Sequence, residues 1–138
     1  MLTRRQTLAV GAGGLAVTML PAVGWSATAD DIIAAFTGGA TPGSDGIFLD
    51  VPEIAENGNT VPVGVNAPGA EEIIIVATDN PQPGVATFRF GEAAGSHSVS
   101  TRIRLGGTQD VVAVARMADG SFVQAAAEVK VTIGGCGG

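Results

Sequence analysis

The chain ends in Gly134-Gly135-Cys136-Gly137-Gly138, with its single cysteine set among four glycines. Glycine has the greatest backbone freedom of any residue, so the sequence predicts a flexible, thin arm. At about 3.3–3.6 Å per extended residue, the thiol of Cys136 stands roughly 10 Å beyond Ile133. A catalytic thiol must be held beside a base by packed neighbours, and four glycines supply none. The one histidine, His97, sits between Ser96 and Ser98, and nothing in the sequence places it near the tail. It reads as a surface histidine. No cation flanks Cys136 and the terminal carboxylate lies two residues on, so nothing in the tail promotes the thiolate. What remains for a mobile, accessible, unactivated thiol is to serve as a handle to which a substrate is covalently attached. The alternative is an interchain disulfide, since an odd cysteine in an exported protein often pairs across chains.

Other chemistries find little support. One Cys and one His cannot furnish a zinc site within one chain, and an intramolecular disulfide is excluded; no metal or cofactor is expected. Seven Lys plus Arg against thirteen Asp plus Glu give a net charge of −6, and no basic run extends beyond Arg4-Arg5, so nucleic acid is not an expected partner. Glu71-Glu72 and the other carboxylates form no acid/base pair. Arg102 and Arg104 lie two apart on a strand and share a face, with Ile103 and Leu105 opposite. They form either a solvated surface or an attraction for anionic enzymes or cargo. The chain is expected to be no enzyme.

The arm must be carried by a domain, and the segment from Met1 to Ala29 is not part of it. Arg4 and Arg5 precede an apolar run from Leu8 to Val23, followed by Ala27-Thr28-Ala29. This reads as an export signal, and it is too short for a stable membrane anchor. Thr3-Arg4-Arg5-Gln6-Thr7-Leu8 is similar to a twin-arginine signal, with Thr7 where Phe is usual. Cleavage after Ala29 leaves five of the seven bases and all thirteen acids, a balance of −8. Export predicts a periplasmic location. The expected domains are therefore 1–29 as signal, 30–133 as folded domain and 134–138 as arm.

Asp30 to Phe36, with acids first and Gly38-Gly39 after, predicts one short helix. Strand patterns follow at 47–51, 60–65, 73–76, 85–90, 98–105, 111–117 and 122–133. They are separated by turns at Asn57-Gly58-Asn59, Asn66 to Gly69, Asn80 to Gly84, Gly106-Gly107 and Asp119-Gly120. About seven strands without crossover helices predict an all-β, immunoglobulin-like antiparallel β-sandwich, with a short N-terminal helix and the C-terminal arm. The runs 73–76, 111–115 and 123 with 125–127 are apolar on both faces, which predicts an apolar outer sheet face covered by a protein partner.

The end Val129-Lys130-Val131-Thr132-Ile133-Gly134-Gly135-Cys136-Gly137-Gly138 resembles the SoxY family, the sulfur-carrier subunits of the thiosulfate-oxidising Sox system. The likeness extends to residues 55–63, Asn80-Pro81, residues 101–105 and residues 109–115. The resemblance implies that Cys136 carries sulfur intermediates of thiosulfate oxidation while its arm visits periplasmic Sox enzymes. These are a haem-containing enzyme that couples thiosulfate to the thiol as a cysteine S-thiosulfonate, a hydrolase that releases sulfate, and a sulfane dehydrogenase. It also implies a heterodimer with a separate SoxZ-like chain.

Overall fold

The computed structural model describes residues 28–91 and 93–134; residues 1–27, which hold most of the expected export signal, Glu92, and Gly135, Cys136, Gly137 and Gly138 lie outside them. Within the described residues the chain forms one helix, α1 (Ala29–Thr37), and eight strands: β1 (Phe48–Asp50), β2 (Ile54–Ala55), β3 (Val61–Asn66), β4 (Ala70–Ala77), β5 (Gly84–Arg89), β6 (Ser98–Ile103), β7 (Gln109–Met117) and β8 (Phe122–Val131). They build an immunoglobulin-like sandwich of two sheets, β1-β3-β6 and β2-β8-β7-β4-β5. The expected antiparallel pairing holds for all but one pair of strands. The exception is β2, a short strand absent from the sequence reading, which runs parallel to β8 with Ile54 opposite Lys130 and Ala55 opposite Val131. Among the described residues no helix is long and apolar enough to cross a membrane.

The core follows from the period-two alternation of strands. In β3, Val61, Val63 and Val65 point inward, while Pro62 and Asn66 are exposed. They meet Ile73 and Ile75 of β4, Val111, Ala113 and Ala115 of β7, and Val129 of β8, with Ile103 and Leu105 closing one end. Fully burying a side chain of Val or Ile size contributes on the order of 1.5–3 kcal/mol, so these residues dominate the stability of the sandwich.

The doubly apolar strands have a different explanation from the partner expected of them. Ile74, Val76, Val112 and Val114 face away from the core, yet all four are buried. They are covered by the chain's own α1, through Ala29, Ile32, Ile33 and Phe36. Phe36 also meets Phe122 edge to face, with ring centroids 5.6 Å apart. At these four positions the apolar outer face is therefore an internal contact, because the helix lies over the sheet; in β8, Val123, Ala125 and Ala127 are half-buried and Ala126 is exposed. The helix is well ended: Thr28 and Asp31 form a reciprocal capping box at its start, and Gly38 closes it in the left-handed conformation at φ 66°.

Candidate functional site

The position of the arm is decided where β8 ends. Strand pairing carries β8 to Val131, and three further contacts extend its hold on the chain. The Thr132 amide donates to the Ala55 carbonyl at 3.1 Å, and the Gly58 amide donates to the Ile133 carbonyl at 2.7 Å. The Thr132 hydroxyl donates to the Glu56 carbonyl at 2.9 Å. On the other side, the Val131 amide donates to the Thr108 hydroxyl at 2.9 Å. The chain is thus gripped between residues 55–58 and the 104–108 turn until Ile133, which is 68% exposed. β2, invisible in the sequence pattern, makes one wall of this grip.

Gly134 is the first residue past it and is half-buried. A Cβ placed on Gly134 would lie 2.5 Å from the Gly106 carbonyl oxygen and 3.3 Å from its carbon. The sequence places Gly134 in the flexible arm; its missing side chain also permits a close backbone approach at the arm's root. The 104–107 turn opposite is itself fixed from within. The buried Asn80 side chain donates to the Arg104 carbonyl at 2.7 Å and accepts from the Gly106 amide at 3.0 Å and from Gln109 Nε2 at 2.9 Å. Gln109 Nε2 also donates to the Gly107 carbonyl at 3.0 Å. In the sequence, Asn80-Pro81 and Gly106-Gly107 announce only turns. Joining them requires Asn80 and Gln109, distant along the chain, to meet.

The remaining candidates separate in space. His97 lies at the end of β6 remote from the arm root: Ser98 pairs with Asn66, whereas Ile103 pairs with Val61, and six strand residues span about 20 Å. Its Nδ1 is 2.5 Å from the Ala70 carbonyl oxygen and its ring packs against Phe90, tilted by 49° with centroids 5.2 Å apart, so it is a half-buried packing residue. Glu72, buried, is paired with Arg89 at 3.2 Å and Arg116 at 3.3 Å, which makes that cluster a structural clamp. Arg102 and Arg104 are exposed near the arm root. Among the described residues no group of three His, Cys, Asp or Glu side chains is placed to hold a metal ion. Cys136, with Gly135, Gly137 and Gly138, lies outside the described residues.

Residues 33–136 match the sequence profile of the sulfur oxidation protein SoxY. The chain belongs to the SoxY family. Among solved structures, the SoxY sulfur carrier protein from Chlorobium limicola f thiosulfatophilum is 42% identical, with a TM-score of 0.63 over 75% of this chain and 96% of that one. A superoxide reductase (neelaredoxin) from Ignicoccus hospitalis superposes with a TM-score of 0.52 at 15% identity, covering 77% of this chain and 94% of that one; this likeness is one of fold alone. No curated protein matches the chain. For a SoxY-family chain, the grip on residues 131–133 sets the last fixed point before the cysteine.

Proposed function

We propose that the protein is a covalent sulfur carrier of periplasmic thiosulfate oxidation, with its cargo attached to the thiol of Cys136. The observation that carries this reading is the extent of the SoxY match, which runs through Cys136 itself, together with 42% identity to a SoxY sulfur carrier. The placement of the arm root supports it: the chain is hydrogen-bonded as far as Ile133, which is exposed, so a thiol three residues on lies within about 10 Å of extended chain of a fixed point. A handle on a firm base can be inserted into a foreign active site while the sandwich docks outside.

The proposed cycle balances with partner enzymes supplying the chemistry. Oxidative coupling joins the thiol to the outer sulfur of thiosulfate, R–SH + S2O3(2−) giving R–S–S–SO3(−) + H+ and two electrons, which pass to a haem-containing enzyme. Hydrolysis with one water then gives R–S–SH, sulfate and H+. A sulfane dehydrogenase takes six electrons from the persulfide, R–S–SH + 3 H2O giving R–S–SO3(−) + 7 H+, and hydrolysis, R–S–SO3(−) + H2O giving R–SH + SO4(2−) + H+, frees the thiol. In this reading the chain is the substrate of each step and catalyses none. It works beside a SoxZ-like chain, and it reaches the periplasm by the twin-arginine signal. The rival role, an interchain disulfide through Cys136, differs in one observable. Intact mass spectrometry of protein from thiosulfate-grown cells is expected to find a sulfur adduct on the Cys136 peptide, and Cys136→Ser is expected to abolish it without altering the fold. A stable disulfide dimer that retains full activity, with no adduct, would overturn the carrier reading.

A further inference from the structure

β5 and β6 are the outermost strands of their sheets and each has a single neighbour. Where their ends approach without pairing, a cleft of about 490 Å³ opens between Gly84 and Val85 on one side and Arg102, Ile103 and Arg104 on the other, with Asn80 at its base. That volume lies in the range of small-ligand sites. Its electrostatics are one-sided, since no acidic residue lines it. Among the described residues Arg89 and Arg116 are consumed by Glu71 and Glu72. Arg102 and Arg104 enter no ion pair, and Arg102 makes only a 3.4 Å hydrogen bond to the Thr60 hydroxyl. Two arginines that enter no ion pair and line one cleft, in a chain of net charge −6, are an arrangement that favours an anion, because the guanidinium fork matches the oxygens of a tetrahedral oxoanion. The cleft is built, too: Asn80 fixes the Arg104 backbone at 2.7 Å and spends its remaining capacity on Gly106 and Gln109. The same turn carries the Gly106 carbonyl that abuts Gly134, so the cleft and the arm root are two faces of one element.

We propose that this cleft is a binding site for a tetrahedral sulfur oxoanion, held by the guanidinium groups of Arg102 and Arg104. That the ligand is a sulfur oxoanion rests on the proposed carrier function; that it is an anion rests on the cleft. The oxoanion has two sources, free in solution or borne on the arm as the terminal sulfonate of the cargo.

Two arms of one experiment distinguish them, both on the full chain and read by NMR at the Nε–H groups of Arg102 and Arg104. In the first, the Cys136→Ser protein is titrated with sodium thiosulfate and with sodium sulfate at low ionic strength, against sodium chloride of matched ionic strength. In the second, the wild-type thiol is loaded with tetrathionate. This exchange needs no further oxidant: R–S(−) + S4O6(2−) gives R–S–S–SO3(−) + S2O3(2−), and excess anion is then removed. Saturable shifts in the first arm, with a dissociation constant on the order of millimolar and at least a fivefold weakening in Arg104→Gln, establish a free-anion site. Shifts at both arginines in the loaded protein alone establish an arm-borne ligand. Absence of shifts in both arms, or shifts that chloride reproduces, overturns the proposal. If tetrathionate leaves no adduct on Cys136 by mass, the carrier reading fails by itself, and the first arm still decides the cleft.

Discussion

Substituting Gly134 by alanine tests whether the first glycine of the tail is needed for clearance as well as for freedom. The added methyl would sit 2.5 Å from the Gly106 carbonyl oxygen, about 0.9 Å inside an ordinary van der Waals contact, and both partners are backbone. Gly106 is tied to Asn80 at 3.0 Å, and the chain just before Gly134 is tied to Gly58 at 2.7 Å. Relief therefore needs either strain of the overpacking kind, about 1–3 kcal/mol, or loss of the Gly58–Ile133 hydrogen bond, about 0.5–1.5 kcal/mol. The expected cost is about 1–2 kcal/mol, a fall in Tm of roughly 4–16 °C at about 4–8 °C per kcal/mol for a domain of this size. Gly107→Ala is the control, since a Cβ there meets nothing within 4 Å and its Tm should stay within a degree or two of wild type or rise slightly. Thermal unfolding gives the stabilities, and amide hydrogen exchange at Gly58 reports whether the grip on Ile133 has opened. Unchanged Tm in Gly134→Ala, with Gly58 protected as in wild type, would refute the clearance argument.

Three further outcomes follow from the same geometry. A chain begun at Asp30 lacks the Thr28 cap and the buried Ala29 that packs with Ile74 and Val114; by chemical denaturation it should be about 1–2 kcal/mol less stable than one begun at Ala27, and equal stability would show the helix start to be immaterial. Asn80→Ala leaves the Arg104 carbonyl and the Gly106 amide without their partner, and at about 1–3 kcal/mol for each unsatisfied group it should lower the denaturation midpoint more than Ser121→Ala does. The Ser121 hydroxyl, donating at 2.6 Å, and the Ser121 amide hold the Asp119 carboxyl below its ordinary pKa. A folded pKa below the unfolded one means that this turn's contribution is complete above the ordinary carboxylate range and fades as pH falls through the folded value. NMR titration of the Asp119 carboxyl should show that lowered midpoint, and Ser121→Ala should move it upward.

Strands are legible in the sequence where period-two alternation and turn residues coincide, as in Val61 to Asn66 and at Asp119-Gly120. The α1 capping signals are legible for the same reason: they act within a single helical turn. β2 escapes because Ile54 and Ala55 alone carry no periodicity, and its role as a wall beside β8 depends on Lys130 and Val131 at the far end of the domain. The apolar run Ile73 to Val76 misleads because its pattern reveals only that both faces are buried, never what buries them. Here the cover is the chain's own helix, Ala29–Thr37, well upstream of the strand it protects.

The sequence alone determined the thiol, its glycine setting and the family to which they point, because these are properties of residue type and order along adjacent positions. Only tertiary structure decided where the arm begins, that Gly134 must clear Gly106, and that Arg102 and Arg104 share a cleft with Asn80. Each of those facts is a distance between residues far apart in the chain, fixed by sheet register and by one buried Asn–Gln contact, and no local pattern records it.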